Sequence, residues 1–213
     1  MSRRRPALLA LLVSLLALGA ATAAPAAHAF RLPAVLGPQA NNPADALAGR
    51  PIDELRYDGA RRCDPKPKPG VVRLTRWLQR NAQGQFWGSY RCEKWGKGQA
   101  SLHAENRAID WHLNAYDRGD FRAARTLIRL LLAPDRAGTP QALARRMGIE
   151  ELIWDCSYWA AGMPQFRTYG ACVNKHGDVR RHVNRTIAHR DHIHIGLTKP
   201  GAAAKTTFWR ARR

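Results

Sequence analysis

The sequence predicts a single α+β domain, a small antiparallel sheet flanked by helices. Segments with apolar residues at helical spacing and segments with apolar–polar alternation follow one another in mixed order, which suits α+β better than regular βαβ units. The chain has 213 residues, enough for one ordinary domain with extensions and too few for two full ones. Apolar residues make up 45% and charged residues 24%. That is ordinary globular composition, and it excludes wholesale disorder, collagen and a polytopic membrane protein.

The first 29 residues have the three-part plan of a secretory signal. Arg3, Arg4 and Arg5 precede an apolar run from Ala7 to Ala20, broken by Ser14 and Gly19, and Ala27-His28-Ala29 forms a small-residue cleavage site. A membrane anchor needs about 20 strongly apolar residues; this core is shorter, and its tail is Ala, Thr and Pro25. Export, with no stable membrane insertion after cleavage, is the expectation. Residues 30–60 read as a linker or pro-segment, with Pro33, Pro38, Pro43, Pro51 and Asn41-Asn42 and no sustained periodicity. The domain is expected over 61–198.

Within it, Val71, Leu74 and Leu78 recur at helical spacing beside Trp77, predicting a helix over 70–80. Gln85 to Arg91 is aromatic-rich and strand-like, and Arg107 to Leu113 alternates as a strand does. Asp120 can cap a helix running to Ala133, where Pro134 stops it; Phe121, Ala124, Leu127, Ile128 and Leu131 form its apolar face. Thr139-Pro140 opens a shorter helix that Gly148 closes. Leu152 to Asp155 and Arg190 to Leu197 are the remaining strands. Residues 199–213, rich in Ala, Lys and Arg, read as a basic tail.

The formal net charge is +19, and cleavage after Ala29 would remove only three positive charges. So basic a chain associates with polyanions. Export argues against nucleic acid and for an anionic cell-wall polymer. Arg180, Arg181, Arg185, Arg190 and the tail are candidates to hold it, with generic solubility an equal reading. Arg145 and Arg146 read as a solvated helix face. Most of the seven tryptophans are expected in the core, with one or two lining a groove. Cys63, Cys92, Cys156 and Cys172 are an even number in an exported chain, which suggests two disulfides. Three connectivities are open. Cys63–Cys92 with Cys156–Cys172 is favoured because both loops are local. No C-x-x-C pair supports a four-cysteine zinc site.

Five of the eight histidines fall between His176 and His194, and His189, His192 and His194 form H-x-x-H-x-H. In a strand, residues two apart share a face, so His192 and His194 point together, as do Asp110 and His112. Two such strands side by side can supply the three or four converging donors that zinc requires. Surface histidines in a polar segment are the bland alternative.

Ser101-Leu102-His103-Ala104-Glu105-Asn106-Arg107-Ala108-Ile109-Asp110 resembles the S-x-H-x-x-G-x-A-x-D motif of the zinc D-alanyl-D-alanine carboxypeptidase and dipeptidase family, related to the penicillin-insensitive murein endopeptidases. Gly88-Ser89-Tyr90-Arg91-Cys92 is similar to that family's upstream S-G-Y-R-S block, and Asp191-His192-Ile193-His194 to its last strand. The resemblance covers three short blocks between about Gly70 and Leu197. It implies a Zn2+ site of His103, Asp110 and His194, with Arg91 as oxyanion partner. It also implies hydrolysis of peptidoglycan peptides, as carboxypeptidase or endopeptidase, by zinc-activated water. The general base is Asp191 by one branch of the family, or His192 with His189 by the other. His192 is preferred because it shares a strand face with His194. His112, outside the motif, is expected beside the site as a supporting partner or wall. The motif glycine is Asn106 here, a residue that tolerates left-handed backbone. Lysostaphin-type H-x-x-x-D spacing is absent. Extensin-like domains with a similar H-x-H ending imply an alternative: a non-catalytic, zinc-stabilised wall-binding module.

Overall fold

A computed structural model describes residue 37 and residues 39–212; the expected signal peptide and the first part of the expected linker lie outside them. Helix α1 (Pro69–Asn81) starts with proline at its first turn and buries Val71, Leu74, Trp77 and Leu78 on one face. It feeds strand β1 (Gln85–Gly88), followed by the hairpin of β2 (Lys94–Gly96) and β3 (Gln99–Ala100). Strand β4 (Ala108–His112) leads to α2 (Arg118–Leu132), α3 (Ala142–Met147), β5 (Ile149–Trp154), β6 (Ser157–Ala160) and β7 (Arg167–Thr168). Strand β8 (His192–Leu197) then returns to the middle of the sheet, and α4 (Lys199–Ala202) and α5 (Thr207–Arg210) end the chain. The large sheet has six strands in the order β1-β4-β8-β5-β6-β7, with every described pairing antiparallel.

Strand alternation separates two faces. Ile109 and Trp111 of β4, Ile193 and Ile195 of β8, and Leu152 and Trp154 of β5 join the main core with α1, α2 and α3. Asp110, His112, His192, His194 and Glu151 alternate with these residues and so project from the opposite face. The register pairs Asp110 with His194 and His112 with His192. Both disulfides, Cys63–Cys92 and Cys156–Cys172, are formed. Among the described residues no helix is long and apolar enough to cross a membrane.

Six expectations need correction. The cap of α2 is Asp117, whose carboxylate accepts from the Asp120 amide; Asp120 instead holds Gln83 and the Asn114 amide. The strand expected over 85–91 ends at Gly88, because the next residues turn to meet His103. From Pro43 the expected linker packs on the domain: Ala44 and Leu47 enter the core, and Asp53 accepts from the Thr207 amide and hydroxyl. The expected basic tail buries Phe208 and Trp209. Arg146 is buried, 3.6 Å from Asp135, and donates to the carbonyls of Arg50 and Pro51. Arg190 is likewise buried, paired with Asp155 at 3.0 Å, so neither arginine belongs to a solvated basic face.

Candidate metal centre

The segment carrying His103 forms a short 3-10 turn, Leu102–Glu105, capped by the Ser101 hydroxyl. Asn106 ends the turn in left-handed backbone, φ 53° and ψ 40°, which asparagine accepts more readily than most non-glycine residues. Its side-chain amide donates to the Pro65 carbonyl. The chain then enters β4, which places Asp110 beside His194 of β8.

His103, Asp110 and His194 are all buried and form a group that could hold a metal ion. His103 Nε2 lies 3.0 Å from Asp110 Oδ1 and 3.0 Å from His194 Nδ1. His194 Nδ1 lies 3.7 Å from Asp110 Oδ1. Donors bonded at ~2.0–2.1 Å around a tetrahedral ion stand about 3.3 Å apart, so this spacing fits a small cation. Asp110 Oδ1 is buried without a hydrogen-bond partner, while Oδ2 accepts from Arg91 Nη1 at 2.5 Å. Three electron-rich atoms converge, and one has no proton aimed at it.

The outer ring nitrogens each have a partner, which fixes the side of the ring that turns inward. His103 Nδ1 lies 3.0 Å from the Ser89 carbonyl. His194 Nε2 lies 2.9 Å from Glu151 Oε1. His192 Nδ1 lies 2.7 Å from Asp191 Oδ1, and His189 Nδ1 lies 3.1 Å from the Ile187 carbonyl. In the neutral ring, a proton held on the outer nitrogen leaves a lone pair on the inner one. His192 Nε2 then faces the cluster, 3.4 Å from Asp110 Oδ1.

His189, in left-handed backbone at φ 51°, puts its ring centroid 4.7 Å from that of His192 and 5.9 Å from that of His194. Burial, then the neighbouring His194 and His192, keep its proton affinity well below the ordinary histidine value. Asp191 does not face the cluster. Its carboxylate sits behind His192 and also accepts from the Thr186 hydroxyl, so the Asp191 alternative for the base is reduced to orienting His192. This is the outcome of β8 starting at His192, with Asp191 just outside the strand.

Two contributors were not legible from motifs. Glu151 is one. The Glu150-Glu151 pair in an otherwise apolar strand was its only sequence signal. Gly196 of β8 leaves room for it: a Cβ there would come 3.0 Å from the Glu151 Cβ and 3.6 Å from His194 Nε2. Burial first, then the charge of nearby Glu151, raises the Tyr57 and Tyr158 phenols above their usual range, so both stay protonated beside it. Glu151→Gln is expected to weaken metal binding by about 10–100-fold, the usual effect of losing a group behind a ligand. Competition with a fluorescent chelator reads it, and unchanged affinity would remove Glu151 from the centre. The other contributor is Trp87, half-exposed and stacked on His112 with centroids 4.0 Å apart. His112 thereby forms a wall, with Nδ1 2.6 Å from the Asp191 carbonyl.

Burial lowers the proton affinity of His194, but the carboxylates of Asp110 and Glu151 on its two sides outweigh this and push it up to about 9. Burial works the other way on Asp110, yet the histidines around it hold it far below the carboxylate range. A cation must therefore displace a proton from His194. Because the protonated form dominates below about 9, apparent metal affinity is expected to rise about tenfold per pH unit from 6 to 8. A flat profile in the same chelator competition would show that His194 is not a ligand.

Comparisons with protein-family models, with curated proteins and with solved structures returned no match for this chain.

Proposed function

We propose that the chain is an exported zinc metallopeptidase that hydrolyses stem peptides or cross-links of peptidoglycan. The observation that carries this reading is the convergence of His103 Nε2, Asp110 Oδ1 and His194 Nδ1 beside an unused imidazole nitrogen, His192 Nε2. Two imidazoles and one carboxylate are a donor set suited to zinc, with a position left for water. Zinc so held supplies Lewis acidity and makes water acidic near neutral pH.

The chain's own groups supply the rest. Asp191 orients His192, which accepts a proton at Nε2 and can return it to a leaving amine. His189, kept neutral, supports it from the next ring position. Arg91 is half-exposed, anchored by one nitrogen to Asp110 and 3.4 Å from Glu93 through Nε. Its exposed edge can meet negative charge developing on a substrate carbonyl, and it stays protonated at any working pH. Trp87 offers an apolar wall next to His192, ring centroids 6.2 Å apart. The two disulfides accord with an extracytoplasmic setting.

Digestion of purified muropeptides, followed by mass spectrometry, tests the reading. His192→Ala is expected to lower kcat by about 10²–10⁴-fold while bound zinc is retained. The near-complete burial of the three donors favours a second reading, a non-catalytic, zinc-stabilised wall-binding module. That reading expects zinc and wall affinity without cleavage, and a His192→Ala protein that binds wall as the wild type does.

A further inference from the structure

On the far side of the sheet from the metal donors, a cleft of about 480 Å³ lies between α1, α5 and the chain end. Four arginines line it: Arg73, Arg76, Arg80 and Arg212. The first three recur at helical spacing, so one face of α1 presents them all. No acidic residue lines the cleft, and α1 contains none. Among the described residues, none of the four arginines forms an ion pair with a carboxylate. Two are held in place by the fold. Arg73 Nη1 donates to the Trp209 carbonyl at 3.0 Å, and the Arg212 guanidinium lies 3.8 Å from the Phe208 ring centroid.

We infer that this cleft binds the phosphate groups of a base-free phosphodiester polymer such as a polyol phosphate. Guanidinium is the side chain best matched to phosphate, through paired N–H donors in one plane. Uncompensated arginines in a concave site raise the local concentration of a polyanion. Nucleic acid binders add exposed rings on which bases stack. The tryptophans lining this cleft, Trp77 and Trp209, are both buried in the core, so the cleft can read phosphate charge and offers no exposed indole to a base. Its place opposite the metal face lets a bound polymer leave the metal centre open. The site does not depend on the peptidase reading. It also moves the expected polymer contact away from Arg180 and Arg181, which stand exposed on another loop.

The test is titration of the purified, disulfide-intact protein with poly(glycerol phosphate) at several salt concentrations. Replacing Arg73, Arg76 and Arg80 together by glutamine is expected to weaken binding about tenfold or more. The slope of log affinity against log salt should fall by about 2, at ~0.7 for each phosphate no longer neutralised. Replacing Arg167, Arg180 and Arg181 by glutamine removes the same charge elsewhere and is expected to change affinity less than threefold. Replacing the three cleft arginines by lysine keeps the charge and reports the guanidinium contribution. Thermal unfolding checks that each variant is folded. Equal losses in the two glutamine triples would show a diffuse charge effect and overturn the site. So would a single-stranded oligonucleotide of equal phosphate number that binds tenfold more tightly than the polyol phosphate.

Discussion

Replacing His194 with alanine is expected to abolish metal retention and, with it, hydrolysis. The wild type should carry about one zinc per chain after purification without chelator, and the variant close to none. The size of the effect follows from the position of the side chain. His194 offers Nδ1 to the cluster at 3.0 Å from His103 Nε2, and its other nitrogen meets Glu151. Loss of an outer partner such as Glu151 costs about 10–100-fold in affinity; loss of the ligand itself leaves two donors, and affinity should fall further. Hydrolysis should drop to background, and added zinc should not restore it. Elemental analysis and muropeptide digestion on the same samples separate the possible failures. Full zinc content in the variant would remove His194 from the metal centre. Zinc lost with hydrolysis retained would remove metal from the chemistry. Zinc lost in the variant from a wild type that never cleaves would support the wall-binding module.

Truncating Phe208 to alanine is expected to destabilise the fold by about 3–5 kcal/mol. The residue lies in what composition alone marks as a basic tail, yet its ring is fully buried. It meets Trp77 of α1 edge-on with centroids 6.3 Å apart and Trp209 at 4.8 Å. Trp209 in turn donates its indole N–H to the Met147 carbonyl at the end of α3. The chain end thus ties two helices together, and a cavity here lies in the main core. For a domain of this size, the loss corresponds to a fall in melting temperature of roughly 6–20 °C. Thermal unfolding with both disulfides intact measures it. A variant melting within about 2 °C of wild type would return residues 199–213 to the status of a peripheral tail.

Much of the fold was legible because periodicity is a local property. The apolar stripes of α1 and α2 are the faces they bury, and the alternation of Arg107 to Leu113 and of Arg190 to Leu197 contains β4 and β8. Asn106 in left-handed backbone is likewise a local matter. The grouping of His103, Asp110 and His194 is legible only in short blocks resembling a family; the β4–β8 register pairs Asp110 with His194, and the turn before β4 adds His103. Asp191 and His192 were separable in principle by strand parity.

Glu151, Arg146 and Arg190 were not legible, and the reason is common to all three. A charged side chain in a sequence looks solvated until its partner is known, and each partner here is distant in the chain or on another element. Glu151 meets His194, Arg146 meets Asp135, and Arg190 meets Asp155. The segments 43–60 and 199–210 misled for a related reason. They are too short and too rich in proline, alanine and charge to show periodicity, but a few apolar side chains suffice to dock them once a core exists.

The sequence by itself determined which residues can supply donors, which strand faces they share, and where the long helices run, because these depend on residue type and on spacings within one element. Only the tertiary structure decided which side of each imidazole faces inward, that Asp191 stands behind His192, and that the arginines of α1 gather with Arg212 in one cleft. Those outcomes depend on contacts between elements far apart in the chain, where burial and the partner found there set the proton, the charge and the orientation.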